Sequence, residues 1–320
     1  MIRHFPSNAA RNAYGAREKR KKIAVLNVQA LAYNVQMLEF LPQPIKDGLA
    51  RAGTDDVYEI RIRKDHPVTV NLRGRYLYLG ERGATEKKEE AITLSENDIE
   101  NALYGAGRFS MYSVEEQLRR GFVTAEGGVR VGIAGEYVFE NGKVTALKRA
   151  SSLCVRVPHR IPGAGEEIFR RTLKRGLQNV LIVSAPGRGK TTILRDLGER
   201  LAAQNNRNVL VCDERGEIAV CGALQGADVL SFVDKKQAFS MAIRALRPDV
   251  IVTDELSESD CDDVLRAIRG GVYVLASAHF RSVRDLTPPF RGIFDAYVAL
   301  SERETGSVAG IYDKNLRLTP

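Results

Sequence analysis

A glycine-rich stretch near the middle of the chain has the residue types and spacing of a phosphate-binding loop. In VLIVSAPGRGKTTILRDL, residues 180–197, the loop residues Gly189, Lys190 and Thr191 stand in order, while Ser184 occupies the first glycine position of G-x-x-x-x-G-K-[ST]. Backbone N–H groups of such a loop bind phosphate oxygens, the lysine reaches the β- and γ-phosphates, and the hydroxyl ligates Mg²⁺. The alternative is a structural glycine-rich turn. The residues predicted to contact the nucleotide are Ser184, Ala185, Pro186, Gly187, Arg188, Gly189, Lys190, Thr191 and Thr192.

An acidic pair ends a second apolar strand, DVIVTDE, at residues 249–255. In a phosphoryl-transfer site of this type, one carboxylate holds Mg²⁺ and another group orients the attacking water. Exposed carboxylates also end many strands that have no catalytic role. Because this pair follows the phosphate-binding loop in an alternating pattern of strands and helices, we predict that Asp254 and Thr191 hold Mg²⁺ and that Glu255 is catalytic.

The C-terminal part of the chain has the pattern of a scaffold that could position these side chains. Strands rich in Val, Ile and Leu, without polar alternation, are typical of a parallel sheet covered on both faces. The apolar runs are NVLIVSA, NVLVCD, DVIVTDE and GVYVLAS, and the helical patterns between them are KTTILRDLGERLAAQ, KKQAFSMAIRALR and SDCDDVLRAIRGG. Their alternation predicts an α/β domain with a mostly parallel sheet over residues 152–320.

The preceding residues, 37–151, have the pattern of a smaller α+β domain. The runs EIRIR, VTVNL and RYLYL predict a small antiparallel sheet. Ser95 and Ser113 each precede an acidic residue by three positions and predict helix starts, and Asn141-Gly142 predicts a hairpin turn. The stretch RIPGAG, at residues 160–165, has the composition of a hinge between the two parts.

The chain has a formal net charge of +8, which favours an anionic partner such as nucleic acid, a membrane face or nucleotide. The run REKRKK lies in residues 1–36, which we predict to be a flexible basic extension, with a binding arm as the alternative. The sequence contains neither a run of about 18 apolar residues nor a secretory leader pattern, so we expect a cytoplasmic protein. The four cysteines and four histidines do not cluster, which argues against a disulfide framework or a zinc site.

Several motifs together resemble the family of stage III sporulation protein AA, P-loop ATPases of endospore-forming bacteria related to the secretion and traffic ATPases. The resemblance begins near Met37 and includes EIRIR, the phosphate-binding loop, VCDERGEIA, DVIVTDEL and GGVYVLASAH. Its most specific part is FSMYSVEEQLRRGFVTAEGGVRVGIAGE, residues 109–136, because generic ATPases lack this stretch. The chain departs from the family at Ser184 and over residues 1–36, which have no evident counterpart.

The resemblance implies a RecA-like ATPase domain that binds ATP and Mg²⁺. It also implies a homo-oligomeric ring, with a hexamer expected, docked on membrane-embedded channel proteins at the mother-cell side of a sporulation complex. VCDERGEIA would be an acidic box formed by Asp213, Glu214 and Arg215. Asp213 and Glu214 are further catalytic candidates, with a solvated strand end as the alternative. His279 would contact the nucleotide near the γ-phosphate, or would be a surface residue. The arginines that could reach a neighbouring subunit's phosphate are Arg244, Arg247 and Arg269.

Three functions stay open at this point. The favoured one is an ATPase motor that energises a trans-envelope, secretion-like complex. The first alternative is an ATPase stimulated by nucleic acid, for which the positive charge could be the footprint. We consider nucleic acid the weaker partner because the N-terminal half lacks a recognisable nucleic-acid module or an interleaved aromatic platform. The second alternative is a scaffold that binds ATP without useful turnover.

Overall fold

The computed structural model describes residues 37–107, 117–204, 206–220 and 224–319. The chain divides into two compact units between His159 and Arg160. The boundary predicted from sequence, 151/152, lies within the strand Lys143–Arg156. The residues near the end of this strand are mostly apolar, a pattern that can be mistaken for the first buried strand of a new domain. The predicted extension over residues 1–36 and the predicted helix start at Ser113 lie outside the described residues.

The N-terminal unit is built around a seven-stranded antiparallel sheet. Its strands are β1 (Val57–Arg63), β2 (His66–Leu72), β3 (Arg75–Gly80), β4 (Gly83–Thr85), β5 (Phe122–Thr124), β6 (Arg130–Glu140) and β7 (Lys143–Arg156), and its longer helices are α1 (Gln43–Ala52) and α2 (Glu96–Ala106). The strand order is β4-β3-β2-β1-β7-β6-β5. The runs EIRIR, VTVNL and RYLYL lie within β1, β2 and β3, so the predicted antiparallel sheet is confirmed.

Local signals at one helix and one turn act as the sequence predicts. Ser95 begins α2 with a capping box, in which its Oγ accepts from the Asp98 N–H and its own N–H donates to the Asp98 carboxylate at 2.9 Å. Asn141 and Gly142 connect β6 to β7 with φ values of 52° and 76°. These left-handed values match the right-handed twist of a hairpin, and this explains why an Asn-Gly pair occurs there.

The C-terminal unit is an α/β layer structure. Its strands are β8 (Val180–Val183), β9 (Val209–Asp213), β10 (Asp228–Ser231), β11 (Val250–Leu256), β12 (Tyr273–Ala278), β13 (Ala296–Leu300) and β14 (Val308–Asp313). Its helices are α3 (Glu166–Ile168, continued by a π-helical segment over Phe169–Leu173), α4 (Lys190–Ala202), α5 (Lys235–Met241, continued by a π-helical segment over Ala242–Leu246) and α6 (Cys261–Arg269). The order is β10-β9-β11-β12-β8-β13-β14, and all pairs are parallel except β13 with β14. The predicted mostly parallel sheet is confirmed.

The sheet places the candidate residues at one edge. Every residue of β8, β9 and β13 is buried, and buried apolar clusters cover both faces of the sheet. Burial on both faces is the reason that these strands show no polar alternation. The strands β9, β11, β12 and β8 are neighbours, and each predicted site segment lies at or just beyond the carboxyl end of one of them. In open parallel sheets, ligands bind outside this edge.

Three strands of this sheet, β10, β13 and β14, were not predicted. The edge strand β10 is short and mostly exposed, so its sequence DVLS carries little hydrophobic pattern. The run AYVAL of β13 is apolar but is separated from the alternating segments by irregular chain. Among the described residues, no helix combines the length and the apolar character needed to cross a membrane.

Candidate nucleotide site

The glycine-rich loop connects β8 to α4, as the motif requires. Ser184 is 2% exposed, and its φ is not among the positive values that the described residues adopt. Its hydroxyl donates to the Ala185 carbonyl at 3.0 Å. A serine therefore fits this position without backbone strain, because the first residue of the loop does not use the left-handed region here.

Gly189 supplies a left-handed backbone conformation at the start of α4. It precedes α4 with φ 88°, and a Cβ there would lie 3.4 Å from Gly306. Glycine is the residue that adopts this conformation without strain, so position 189 favours glycine. Thr191 and Thr192 follow in the first turn of α4, where both are half-buried. Helix N–H groups at this end favour an anion, so the loop geometry suits phosphate.

Lys190 is folded back on its own loop. The residue is 5% exposed, and its Nζ donates to the carbonyls of Ser184 at 2.9 Å and Ala185 at 3.0 Å. Burial lowers the pKa of Lys190, while the carboxylates of Glu255 and Asp254 act in the opposite direction. A buried ammonium held by neutral carbonyls can exchange them for charged phosphate oxygens, because hydrogen bonds between two charged groups are the stronger ones.

A chain of polar contacts connects Lys190 to the acidic strand end. The Lys190 Nζ lies 3.0 Å from His279 Nδ1, and His279 Nε2 lies 3.2 Å from Glu255 Oε1. Since an ammonium can only donate, Nδ1 accepts and Nε2 carries the hydrogen. The other oxygen of Glu255, Oε2, lies 2.5 Å from Arg215 Nη1. The structure thus brings Lys190, His279 and Glu255 together, as the predicted site requires.

The backbone of Glu255 is unusual. Its φ is 48°, in the left-handed region, and the β11–β12 register shifts between Thr253 and Leu256. The Glu255 N–H donates to Ser277 Oγ at 3.2 Å. Positive φ values at non-glycine residues are uncommon and cluster at functional sites. The bulge turns the side chain toward His279, and no sequence pattern signals it.

Asp254 lies beside this chain as a buried carboxylate without a partner. It is 1% exposed, and neither Oδ1 nor Oδ2 has a hydrogen-bond partner among the described residues. Burial raises the pKa of Asp254 from 3.8 to about 7, with added repulsion from Asp213, Glu217 and Glu255. An unpaired buried carboxylate next to a phosphate-binding loop fits a cation.

The metal-binding potential of this region fits Mg²⁺ held together with phosphate. Within the described ranges, no group of three or more His, Cys, Asp or Glu side chains is arranged to hold a metal alone. Mg²⁺ in nucleotide sites commonly uses one or two protein oxygens, with phosphate and water completing its octahedron. The oxygens that would hold it are those of Thr191 and Asp254, which are the residues that the sequence predicts.

We expect Asp254→Asn to stabilise the nucleotide-free protein at about pH 8. The pKa of Asp254 is raised, so between about pH 4 and 7 the unfolded chain ionises this group while the folded protein keeps the proton. The free energy of unfolding therefore decreases as pH rises through that window and stays lower above it. Asparagine removes this cost, and the melting temperature should rise at about pH 8 with a smaller difference at about pH 5.

Thermal melts across this pH range test the prediction. Asp228→Asn is the matched control, because Asp228 is an exposed residue of the same sheet. A variant at Asp254 that melts below the wild type at high pH, or with an offset independent of pH, would show that burial of this charge does not limit the stability of the folded protein.

The carboxylate of Asp213 in the acidic box accepts hydrogen bonds from the loop that follows it. The residue is fully buried, its Oδ1 accepts from the Glu217 N–H at 2.8 Å, and its Oδ2 accepts from the N–H groups of Ile218 and Ala219 at 2.9 and 2.8 Å. Arg195 holds the same segment through the carbonyls of Glu217 and Ile218. In this state Asp213 shapes the loop, and its carboxylate has few positions left for a proton or a water.

Glu214 pairs with the first residue of α5. Its Oε2 lies 2.6 Å from Lys235 Nζ, and the Lys235 side chain is only 10% exposed. The resemblance places Arg215 in the acidic box, and the structure adds its contact with Glu255, which no sequence pattern predicts. The acidic box is distant from β11 in sequence, so only the adjacency of β9 and β11 in the sheet brings the two segments together.

The three arginines considered for contacts in trans lie on the surface. Arg244 and Arg247 are exposed at the end of α5, where Arg247 has a φ of 47°, and Arg269 is exposed in the last turn of α6. None of the three takes part in the Lys190–His279–Glu255–Arg215 chain. Their assignment to a neighbouring subunit stays a prediction.

Comparison with known proteins gives one family. A family model described as sporulation stage III, protein AA, matches residues 35–318. Stage III sporulation protein AA of Bacillus subtilis (strain 168) is 34% identical over 306 residues, which cover 88% of this chain and 95% of that relative.

Two solved structures share the fold at low sequence identity. The ATPase DotB of Legionella pneumophila superposes with a TM-score of 0.54 and 14% identity, covering 85% of this chain and 82% of that one. The pilus retraction motor PilT, solved with bound ADP, gives a TM-score of 0.56 and 17% identity, covering 79% and 76%. The predicted fold, a RecA-like domain preceded by a smaller α+β domain, is thereby confirmed.

Proposed function

We propose, from the premise that this chain belongs to the sporulation stage III protein AA family, that it binds and hydrolyses ATP in the presence of Mg²⁺. The observation that carries the proposal is the contact chain from Lys190 through His279 to Glu255, with the unpaired Asp254 beside it. A structural glycine-rich turn has no need for a buried carboxylate without partners. The fold shared with DotB and PilT agrees with a motor ATPase.

The residues divide the chemistry among them. Lys190 exchanges the Ser184 and Ala185 carbonyls for phosphate oxygens, since its ammonium already lies at the loop. Thr191 and Asp254 would hold Mg²⁺, which when bound neutralises charge on the β- and γ-phosphate oxygens. Glu255 orients the attacking water, and His279 donates its Nε2 hydrogen to a neighbouring anionic oxygen, which is Glu255 in the nucleotide-free state.

We further propose that the protein works as a homo-oligomeric ring, with a hexamer expected, on channel proteins of the sporulation membrane complex. The family membership supports this assignment. The proposal places the ring on the mother-cell side of that complex. Hydrolysis would drive motion of the ring against the channel.

A specific surface favours the second candidate, an ATPase stimulated by nucleic acid. On the face of the N-terminal sheet opposite its buried residues, Arg63 and Arg156 are exposed, and Tyr76 on the same face is 63% exposed. Cationic and aromatic side chains on an open sheet are the groups that single strands contact. Because of this surface, the functional test includes nucleic acid.

ATP hydrolysis by the purified full chain separates the candidates. We expect hydrolysis that EDTA abolishes, that vesicles carrying the channel proteins increase, and that single- or double-stranded DNA leaves unchanged. Stimulation by DNA alone would favour the second candidate. Tight ATP binding without hydrolysis under every condition would favour the scaffold and reject the motor.

We propose that residues 1–36 are not needed for this activity. The family model begins at residue 35, and Met37, which is 1% exposed, is the first described residue of the core. Deleting residues 1–36 should leave the ATPase rate and the melting temperature unchanged. Limited proteolysis followed by mass spectrometry gives a second measurement. A protease-resistant segment before Met37 would contradict the proposal.

A further inference from the structure

Both carboxylate oxygens of the catalytic candidate Glu255 have a partner in the nucleotide-free protein. Its Oε2 pairs with Arg215 at 2.5 Å and its Oε1 with His279 at 3.2 Å, and its side chain is only 21% exposed. The guanidinium and the imidazole N–H fill about half of the roughly four lone-pair directions of the carboxylate, and together they hold it in one orientation. Release of the Arg215 contact would free Oε2 and let the carboxylate turn toward a water.

Arg215 is the partner that can leave. Its side chain is 55% exposed, and Gly216 follows it with φ 69°. The chain on both sides is anchored: Glu214 pairs with Lys235, and the Asp213 carboxylate holds the N–H groups that begin at Glu217. The loop position of Arg215 is thus fixed while its guanidinium lies in partial contact with solvent. Such a side chain can change partners without unfolding the loop.

The partner that Arg215 would take after leaving Glu255 follows from its charge and from the contacts between the loop and Glu255. A guanidinium binds carboxylates and phosphates with the same bidentate geometry, so a phosphate group near Glu255 competes directly for Arg215. Phosphate at the loop also draws the Lys190 ammonium from His279, which otherwise links the loop to Glu255. ADP lacks the γ-phosphate, the group that would reach farthest from the loop.

We infer that Arg215 is a positioning residue that holds Glu255 until ATP binds and then exchanges it for the γ-phosphate. The inference rests on the proposed ATPase function and deepens it. The exchange leaves Oε2 of Glu255 available to water only when a γ-phosphate is present. Arg215 in this way makes the release of Glu255 depend on recognition of the γ-phosphate. Bound ADP leaves Glu255 paired with Arg215.

Arg215→Gln tests the inference through the difference between two nucleotides. We expect the affinity for a non-hydrolysable ATP analogue to fall by about 10-fold or more, because charge-assisted hydrogen bonds to the γ-phosphate are lost. ADP affinity, measured by the same fluorescence titration, should stay within about twofold, since ADP does not offer that group. In steady-state kinetics KM for ATP should rise as the ATP-analogue affinity falls. Arg215→Lys, which keeps the charge, should restore part of both.

Arg266→Gln is the matched control. Arg266 pairs with Asp263 at 2.9 Å in the same unit, and its side chain is 64% exposed. This control should change neither affinity. Equal losses of ADP and analogue binding in Arg215→Gln and Arg215→Lys would mark Arg215 as merely structural and overturn the inference, as would unchanged discrimination between the two nucleotides.

The wild type distinguishes the failure of this inference from the failure of the proposed function. A wild-type protein that binds neither ADP nor the analogue overturns the proposed function and the role of Arg215 with it. A wild-type protein that hydrolyses ATP, with an Arg215→Gln variant that still distinguishes the analogue from ADP to the same degree, overturns the role of Arg215 alone. Melting temperatures of all variants show whether each is folded under the assay conditions.

Discussion

Replacing Lys190 with alanine is expected to lower ATP affinity by about two orders of magnitude, the effect of losing charge-assisted hydrogen bonds in a partly buried site. The Lys190 ammonium is the cation of the phosphate-binding loop, and it donates to two loop carbonyls and contacts His279 before any nucleotide binds. Alanine removes the charge that would replace those carbonyls by phosphate oxygens. It also removes the connection between the loop and His279.

Nucleotide titration of the folded variant decides this prediction. Lys174→Ala is the matched control, because Lys174 is an exposed lysine of the same unit. Alanine at position 190 leaves the Ser184 and Ala185 carbonyls without their ammonium donor, so a modest decrease in melting temperature is compatible with the prediction. Unchanged ATP affinity in a folded variant would show that the loop does not hold nucleotide.

The phosphate-binding loop illustrates what could be predicted from the sequence. Lys190, Thr191 and the strand–loop–helix context are local features, since they lie within a few residues of one another. Local features follow from spacing because short segments fix their own backbone. Ser184 raised the question whether glycine is required at the start of the loop, and its backbone and its 2% exposure in the structure answer that serine fits there.

The grouping of Glu255, His279 and Arg215, unlike the loop, does not follow from local sequence. These residues come from the ends of β11, β12 and β9, and only the strand order of the folded sheet brings them together. Sequence spacing and family resemblance nominated Glu255 and His279 separately. The Arg215–Glu255 pair depends on a non-local register and on the left-handed backbone of Glu255, neither of which has a signature along the chain.

The acidic box shows how a motif can have two explanations. An aspartate that ends a buried strand can serve catalysis or can organise the loop that follows, and the residue type is the same in both cases. The structure gives Asp213 three backbone N–H donors, which is the arrangement of a loop-organising residue. Glu214 in turn is paired with Lys235. These contacts favour Glu255 as the base, and they make a direct comparison of the three carboxylates informative.

Glu255→Gln should bind Mg²⁺-ATP and hydrolyse it more slowly by about 10²–10⁴-fold, the loss typical of removing a general base. Glutamine keeps the volume of the side chain, and its amide oxygen can still accept from Arg215 or His279, so the site should stay assembled. It cannot take a proton from water at neutral pH. Single-turnover hydrolysis with binding checked separately measures the chemical step, and Glu258→Gln, an exposed glutamate three residues further on, is the control.

The rival assignment is decided by Asp213→Asn and Glu214→Gln under the same conditions. At Asp213, asparagine would direct an NH₂ group at backbone N–H donors that now reach a carboxylate, so we expect a loss of stability on the order of 1–3 kcal/mol. Turnover well below its melting temperature should exceed that of Glu255→Gln. If Glu255→Gln hydrolyses ATP like the wild type while a folded acidic-box variant is inactive, the base lies in the box. Glu255 would then be a structural strand end whose pairing with Arg215 holds β9 and β11 together.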